Sequence, residues 1–177
     1  NRYVMEYLLA ELFQQQSDVR QQFLLHSSIL DTLTGPLCRA VTGEEHAQQL
    51  LEALVDENLF ITALDPARDH YRYHTLFSDF LKHRLAQTQP EQVAELHRRA
   101  SLWYEQQGLH SEAIQHAFAG RDLERALRLT ELMAELTTLR ERFVAVQKYL
   151  EQRPDHFSSN GLEHQQIATI LANNPIA

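Results

Sequence analysis

Tyr71-Arg72-Tyr73-His74-Thr75-Leu76-Phe77-Ser78-Asp79-Phe80-Leu81-Lys82-His83-Arg84-Leu85 changes its apolar period part-way, and that change decides the fold. Tyr71-Arg72-Tyr73 alternates as a strand does, whereas Leu76, Phe77, Phe80, Leu81 and Leu85 share one helical face, with Ser78, Asp79 and Lys82 opposite. His74 stands at the junction. The first amides of a helix lack intrahelical acceptors and the dipole favours negative charge there, so an imidazole beside them is placed to meet an anion. The other reading is that His74 or Thr75 simply caps the helix, and the residues alone leave both open.

Upstream of this stretch, Val4, Leu8, Leu9, Leu12 and Phe13 form one stripe and predict a helix over 2–15. Ser17 suits the N-cap of a second helix, with Asp18 in its first turn and Val19, Phe23 and Leu24 turned inward. Thr34-Gly35-Pro36 opens a short third helix carrying Leu37, Ala40 and Val41, which stops near Gly43. Glu44 and Glu45 suit the start of a fourth, whose buried face is Ala47, Leu50, Leu51, Leu54 and Val55. Leu59 to Leu64 reads as a strand, and Asp65-Pro66-Ala67-Arg68-Asp69 as the turn that leads to Tyr71. Short helices, a hairpin and a further helix describe a winged helix over 1–87, with Gln87-Thr88-Gln89-Pro90 as a linker.

Only helices are expected over 88–177. Thr88 with Glu91 reads as a capping box, and Val93, Leu96, Ala100, Trp103 and Tyr104 keep helical spacing until Gly108. Ala113, Ile114, Ala117 and Phe118 lie on a second helix ending at Gly120. Asp122 suits the cap of a third, with Leu123, Ala126, Leu127, Thr130 and Met133 as its stripe. A fourth is expected from Glu141 to Glu151 before Pro154, and Leu162, Ile167, Ile170 and Leu171 keep a weak helical pattern beyond it. Short helices punctuated by glycine resemble tetratricopeptide-type pairs, which must stack to bury their apolar faces. The expected class is therefore mainly α, a winged helix with a small β-hairpin followed by a tetratricopeptide-like helical region.

The 177 residues suffice for a sizeable core, and 44% hydrophobic with 23% charged residues is ordinary for a globular protein. No apolar run reaches the length of a membrane span and no leader precedes the first helix, which predicts a cytoplasmic protein. The single cysteine, Cys38, excludes an internal disulfide and fits a reducing compartment. The chain starts at Asn1 just before an amphipathic pattern, and we read it as part of something longer.

A formal charge of −8 opposes broad phosphate-backbone binding. The helix a winged fold would lay in the major groove carries Glu44, Glu45, Glu52, Asp56 and Glu57 and no lysine or arginine. Arg68, Arg72, Lys82 and Arg84 are too few to reverse this, so direct DNA binding is not expected. No metal is expected: His70 and His74 straddle a strand instead of sharing a helical face, and His83 has no ligand-spaced companion. No catalytic residue is expected either. Cys38 sits among Leu37, Ala40 and Val41 as a packed residue, no serine has a nucleophile motif, and the five glycines are isolated, so there is no phosphate-binding loop. Trp103, Tyr104 and Phe118 suit either a ligand face or helix packing.

Several words of the sequence resemble one family in order and spacing. They are Phe23-Leu24-Leu25-His26-Ser27-Ser28-Ile29-Leu30-Asp31, Gly35-Pro36-Leu37-Cys38, Ala40-Val41-Thr42-Gly43, Asn58-Leu59-Phe60, Tyr71 to Phe77, and Leu96-His97-Arg98-Arg99-Ala100 before Trp103-Tyr104. Together, from about Tyr3 to about Phe157, they resemble the large ATP-binding LuxR-type regulators, the MalT-like branch of the signal-transduction ATPases with numerous domains. The resemblance implies a nucleotide-binding domain, a winged helix, a helical arm, a tetratricopeptide-like sensor and a LuxR-type DNA-binding domain in that order. It implies ATP or ADP bound by the full-length protein, with no cofactor of this segment's own. It further implies a winged helix that closes over the nucleotide-binding domain, and helices that meet an effector or partner protein. In related ATPases a histidine within Met-His-Asp reaches the nucleotide phosphate; His74 takes that place here, flanked by Tyr73 and Thr75. The expected role is a non-catalytic regulatory module of a bacterial transcription activator. The alternatives are a stand-alone repeat scaffold that recruits partners and a DNA-binding winged helix.

Overall fold

A computed structural model describes residues 2–152, with side chains from 7 to 148. The apolar pattern over 158–177 lies outside the described residues. The chain divides into two compact units, residues 1–130 and 131–177.

In the first unit, α1 (Arg2–Gln14), α2 (Asp18–Ser27), α3 (Gly35–Thr42) and α4 (Ala47–Asp56) precede the hairpin β1 (Ile61–Ala63) and β2 (Tyr71–Tyr73). α5 (Thr75–Thr88), α6 (Pro90–Gln106) and α7 (His110–Ala119) follow, and α8 runs from Leu123 to Gln152. The local signals explain most of these ends. Ser17 accepts from the Arg20 amide, Thr34 accepts from the Leu37 amide, and Asp122 accepts from the Arg125 amide at 3.1 Å. α4 begins later than Glu44, at Ala47, because Glu44 and Glu45 belong to the turn after α3.

The hairpin is antiparallel, with Ile61 opposite Tyr73 and Ala63 opposite Tyr71. A third segment joins it: Leu33 and Tyr71 exchange both backbone hydrogen bonds at 2.8 Å. Tyr71 is wholly buried and its hydroxyl accepts from Gln48 Nε2 at 3.0 Å. Ser27 donates to the Phe23 carbonyl at 2.6 Å, so the 2.8 Å contact between Ser27 Oγ and the Tyr73 hydroxyl is donated by the tyrosine. Burial raises the pKa of Tyr73, which keeps that donor protonated. The core beneath the sheet is Leu24, Leu33, Leu37, Val41, Leu51, Leu54, Leu81 and Leu85. Gly35 is required where α3 meets α4, because a Cβ there would stand 2.9 Å from Gln48 Cβ.

The linker expected at 87–90 shrinks to Gln89 alone, and α5 and α6 are nearly continuous. Thr88 does not form the capping box: its hydroxyl donates to the Arg84 carbonyl at 2.8 Å, while Pro90 takes the first helical position of α6. Gln89 instead ties the corner to α2, bonding His26 Nε2 and Gln22 Oε1, each at 2.9 Å.

α6 and α7 pair closely. His97 and His116 face one another through Nδ1 atoms 2.9 Å apart, and the Tyr104 ring stacks on His116. The turn after α7 comes so near α6 that a Cβ on Gly120 would lie 3.0 Å from the Ala94 carbonyl. Glu105 of α6 binds Arg125 and Arg128 of α8. α8 departs from expectation in two ways. It is one continuous helix over 123–152 instead of two, and its inward residues are Ala126 and Leu129, while Leu123 and Leu127 are exposed. No glycine or proline interrupts 123–152, so the chain offers no break.

Candidate functional site

The site is built where β2 hands over to α5. His74 has extended backbone, donates its amide to the Phe60 carbonyl at 2.7 Å, and accepts at its own carbonyl from Phe77 and Ser78, each at 2.9 Å. Its side chain makes no capping bond, so the main chain alone starts the helix. The imidazole is exposed, with Nε2 3.3 Å from Thr62 Oγ1 on β1. The amides of Thr75 and Leu76 open the first turn of α5, where a helix supplies donors without intrahelical acceptors.

Behind the junction lies an aromatic row. A row of rings runs from Phe13 on α1 through Phe80 (6.0 Å) and Phe77 (6.3 Å) to Phe60 (5.7 Å), and ends on His74, edge-to-face at 6.3 Å from Phe60. Phe60 holds φ +53°, a left-handed conformation that a bulky residue adopts only when its surroundings impose it. Here the short bond from the His74 amide and the packing of its ring on Phe77 impose it. Leu9, Phe60, His74, Thr75 and Leu76 enclose a cleft of about 380 Å³. The cleft is mostly apolar, with one titratable group and a helix start at its mouth.

Leu76 was expected on the buried face of α5 but is 62% exposed, because the helix begins at Thr75 and turns this position to the rim of the cleft. Val19 was likewise expected inside and is 59% exposed, on a second cleft of about 340 Å³ lined with Phe23, His26, Gly43 and Glu44.

The other candidates resolve separately. His70 Nδ1 bonds Asp65 Oδ2 at 2.7 Å, while His83 Nε2 bonds Gln87 at 2.9 Å, so neither joins His74. Among the described residues no group of three or more His, Cys, Asp or Glu is arranged to hold a metal. Cys38 is fully buried, and burial pushes its thiol up to about 12, so no reactive thiolate forms near neutral pH. Tyr104 is packed and Trp103 half-buried, while Phe118 is 51% exposed. No helix among the described residues is long and apolar enough to cross a membrane. Leu9 and Phe60 line the cleft and Thr62 meets the His74 ring, but nothing in the sequence marked them as site residues; only assembly of the hairpin against α1 and α5 brings them to His74.

Residues 9–93 match the family described as the MalT winged helix domain. Over 111 residues the chain is 37% identical to the serine/threonine-protein kinase PknK of Mycobacterium tuberculosis (strain ATCC 25618 / H37Rv), covering 63% of this chain and 10% of that protein. Over 120 residues it is 36% identical to the HTH-type transcriptional regulator MalT of Klebsiella pneumoniae (strain 342), and 34% identical to that of Cronobacter sakazakii (strain ATCC BAA-894). Each of these alignments covers 68% of the chain and 13% of the regulator. The chain thus spans only about an eighth or less of the length of the relatives it matches.

Proposed function

From the match of residues 9–93 to the MalT winged helix domain we propose that the chain is the closing module of a nucleotide-governed transcriptional regulator. In this reading the cleft face of the winged helix docks on a nucleotide-binding domain in the same protein. His74 then donates a hydrogen bond to a phosphate oxygen of bound ADP, beside the first amides of α5. Exchange to ATP releases the contact, and α6 to α8 pass an effector or partner signal to the same equilibrium. Neither catalysis nor DNA contact is assigned to this module.

The observation that carries the reading is the exposed imidazole of His74 at the mouth of the cleft, free of any capping duty and beside a helix start. One further consideration supports a switch over an output. Closely similar segments occur in proteins named as a kinase and as transcriptional regulators, whose outputs differ, so the shared part is not itself the output. Contact energies that couple two domain states are typically about 1–3 kcal/mol, enough to shift a population severalfold to about a hundredfold.

The test is His74→Ala in the full-length regulator, with inducer-free transcription and ADP retention as readouts. Loss of the phosphate contact raises basal transcription and speeds ADP release, while helix content stays unchanged because the side chain caps nothing. Unchanged values for both readouts remove His74 from the switch.

A further inference from the structure

The hairpin has one face turned away from the core. Thr62 stands opposite Arg72, and backbone bonds extend the register to Phe60 opposite His74 and Leu64 opposite His70. Side chains alternate along a strand, so Phe60, Thr62 and Leu64 share this face with His70, Arg72 and His74, while Ile61, Tyr71 and Tyr73 are buried on the other. In a chain of formal charge −8, these six positions include no carboxylate. Asp65, in the turn beyond them, is already taken by the His70 ring at 2.7 Å and by the amides of Asp69 and His70.

Arg72 is exposed and has no ion pair or side-chain hydrogen bond among the described residues, whereas Arg20, Arg39 and Arg68 are each held by a carboxylate. The His74 ring leans along the same face, with Nε2 3.3 Å from Thr62 Oγ1, directly across from Arg72. Diagonal neighbours on one face of a sheet meet in this way. An imidazole, a hydroxyl and an unneutralised guanidinium thus converge beside the start of α5.

We infer that Arg72 is a second phosphate contact, beside His74, for a nucleoside diphosphate. This rests on the phosphate role proposed for His74 and adds the cation that role lacks. Thr62 occupies Nε2, so Nδ1 is the ring nitrogen left to donate to one phosphate. Arg72 stands two residues before His74, about 6.5 Å along the strand, a span its stem closes to bring two parallel N–H groups to the neighbouring phosphate.

The experiment is ADP release from the full-length regulator carrying Arg72→Gln, Arg72→Glu or His74→Ala, with urea midpoints as the control for folding. Arg72→Gln is expected to speed release by about tenfold or more, the usual weight of a hydrogen bond to a charged group. Arg72→Glu speeds it further, because it sets like charge against phosphate. The midpoints stay at the parent value, since the side chain is exposed and unpaired. Faster release in His74→Ala with no change in Arg72→Gln overturns the inference and leaves the role of His74 standing. Equal release in Arg72→Gln and Arg72→Glu also overturns it, since a phosphate contact distinguishes the two charges. Faster release in both arginine variants with no change in His74→Ala supports the Arg72 contact and removes His74 from the switch. No change in any of the three overturns both.

Discussion

His97 and His116 show how strongly one contact between two rings depends on protonation. With Nδ1 atoms 2.9 Å apart, one ring donates and the other accepts, which requires at least one neutral imidazole. Burial, and after it the neighbouring His97, holds His116 down to about 4; His97 is also lowered, by burial and then Lys82. Asp31 opposes part of this at His116. A base whose folded pKa lies below its unfolded value of 6.5 leaves the unfolded chain binding more protons between the two. The pair's contribution is therefore complete above about pH 6.5 and is lost as pH falls towards 4. Urea unfolding at pH 7.5 and pH 5 is expected to show a smaller loss at pH 5 in His116→Phe than in the parent, with the Tyr104 stack retained. An equal loss in both would place the titration elsewhere. Nothing in the sequence paired these two histidines, because a ring-to-ring contact across two helices has no spacing signature.

At the level of elements, what could be read from the sequence divides by the range of the forces involved. Caps, turns and stripes are local, so Ser17, Thr34, Gly43, Asp122 and the strand Tyr71–Tyr73 fall where their residue types require. The junction at His74 was legible for the same reason, as a change from period two to period 3.6. Faces are set by neighbours instead: Val19, Leu76, Leu123 and Leu127 follow helical spacing yet are exposed among the described residues. Close approach between helices is the other non-local term. Gly35→Ala places a methyl group against Gln48 and is expected to cost about 1–3 kcal/mol as an overpacked contact, read as a lowered urea midpoint. A stability within error of the parent would mean that α3 and α4 can part without cost.

For the whole molecule, charge separates the two roles open to a winged helix. α4 carries Glu52 and Asp56 and no basic residue, and Arg68 is already paired with Asp56 at 2.8 Å. With a formal charge of −8, the chain is expected to give no shift of duplex DNA at low salt, where phosphate attraction is strongest. Salt-sensitive retardation of any duplex at micromolar protein would reverse that assignment. The double backbone exchange between Leu33 and Tyr71 has a consequence for how the chain may be cut. It closes a loop around α3 and α4, so the hairpin gains its third segment only after that loop has formed. A truncation beginning beyond Leu33 leaves the outer edge of β2 bare, a template on which another polypeptide can crystallise into fibrils.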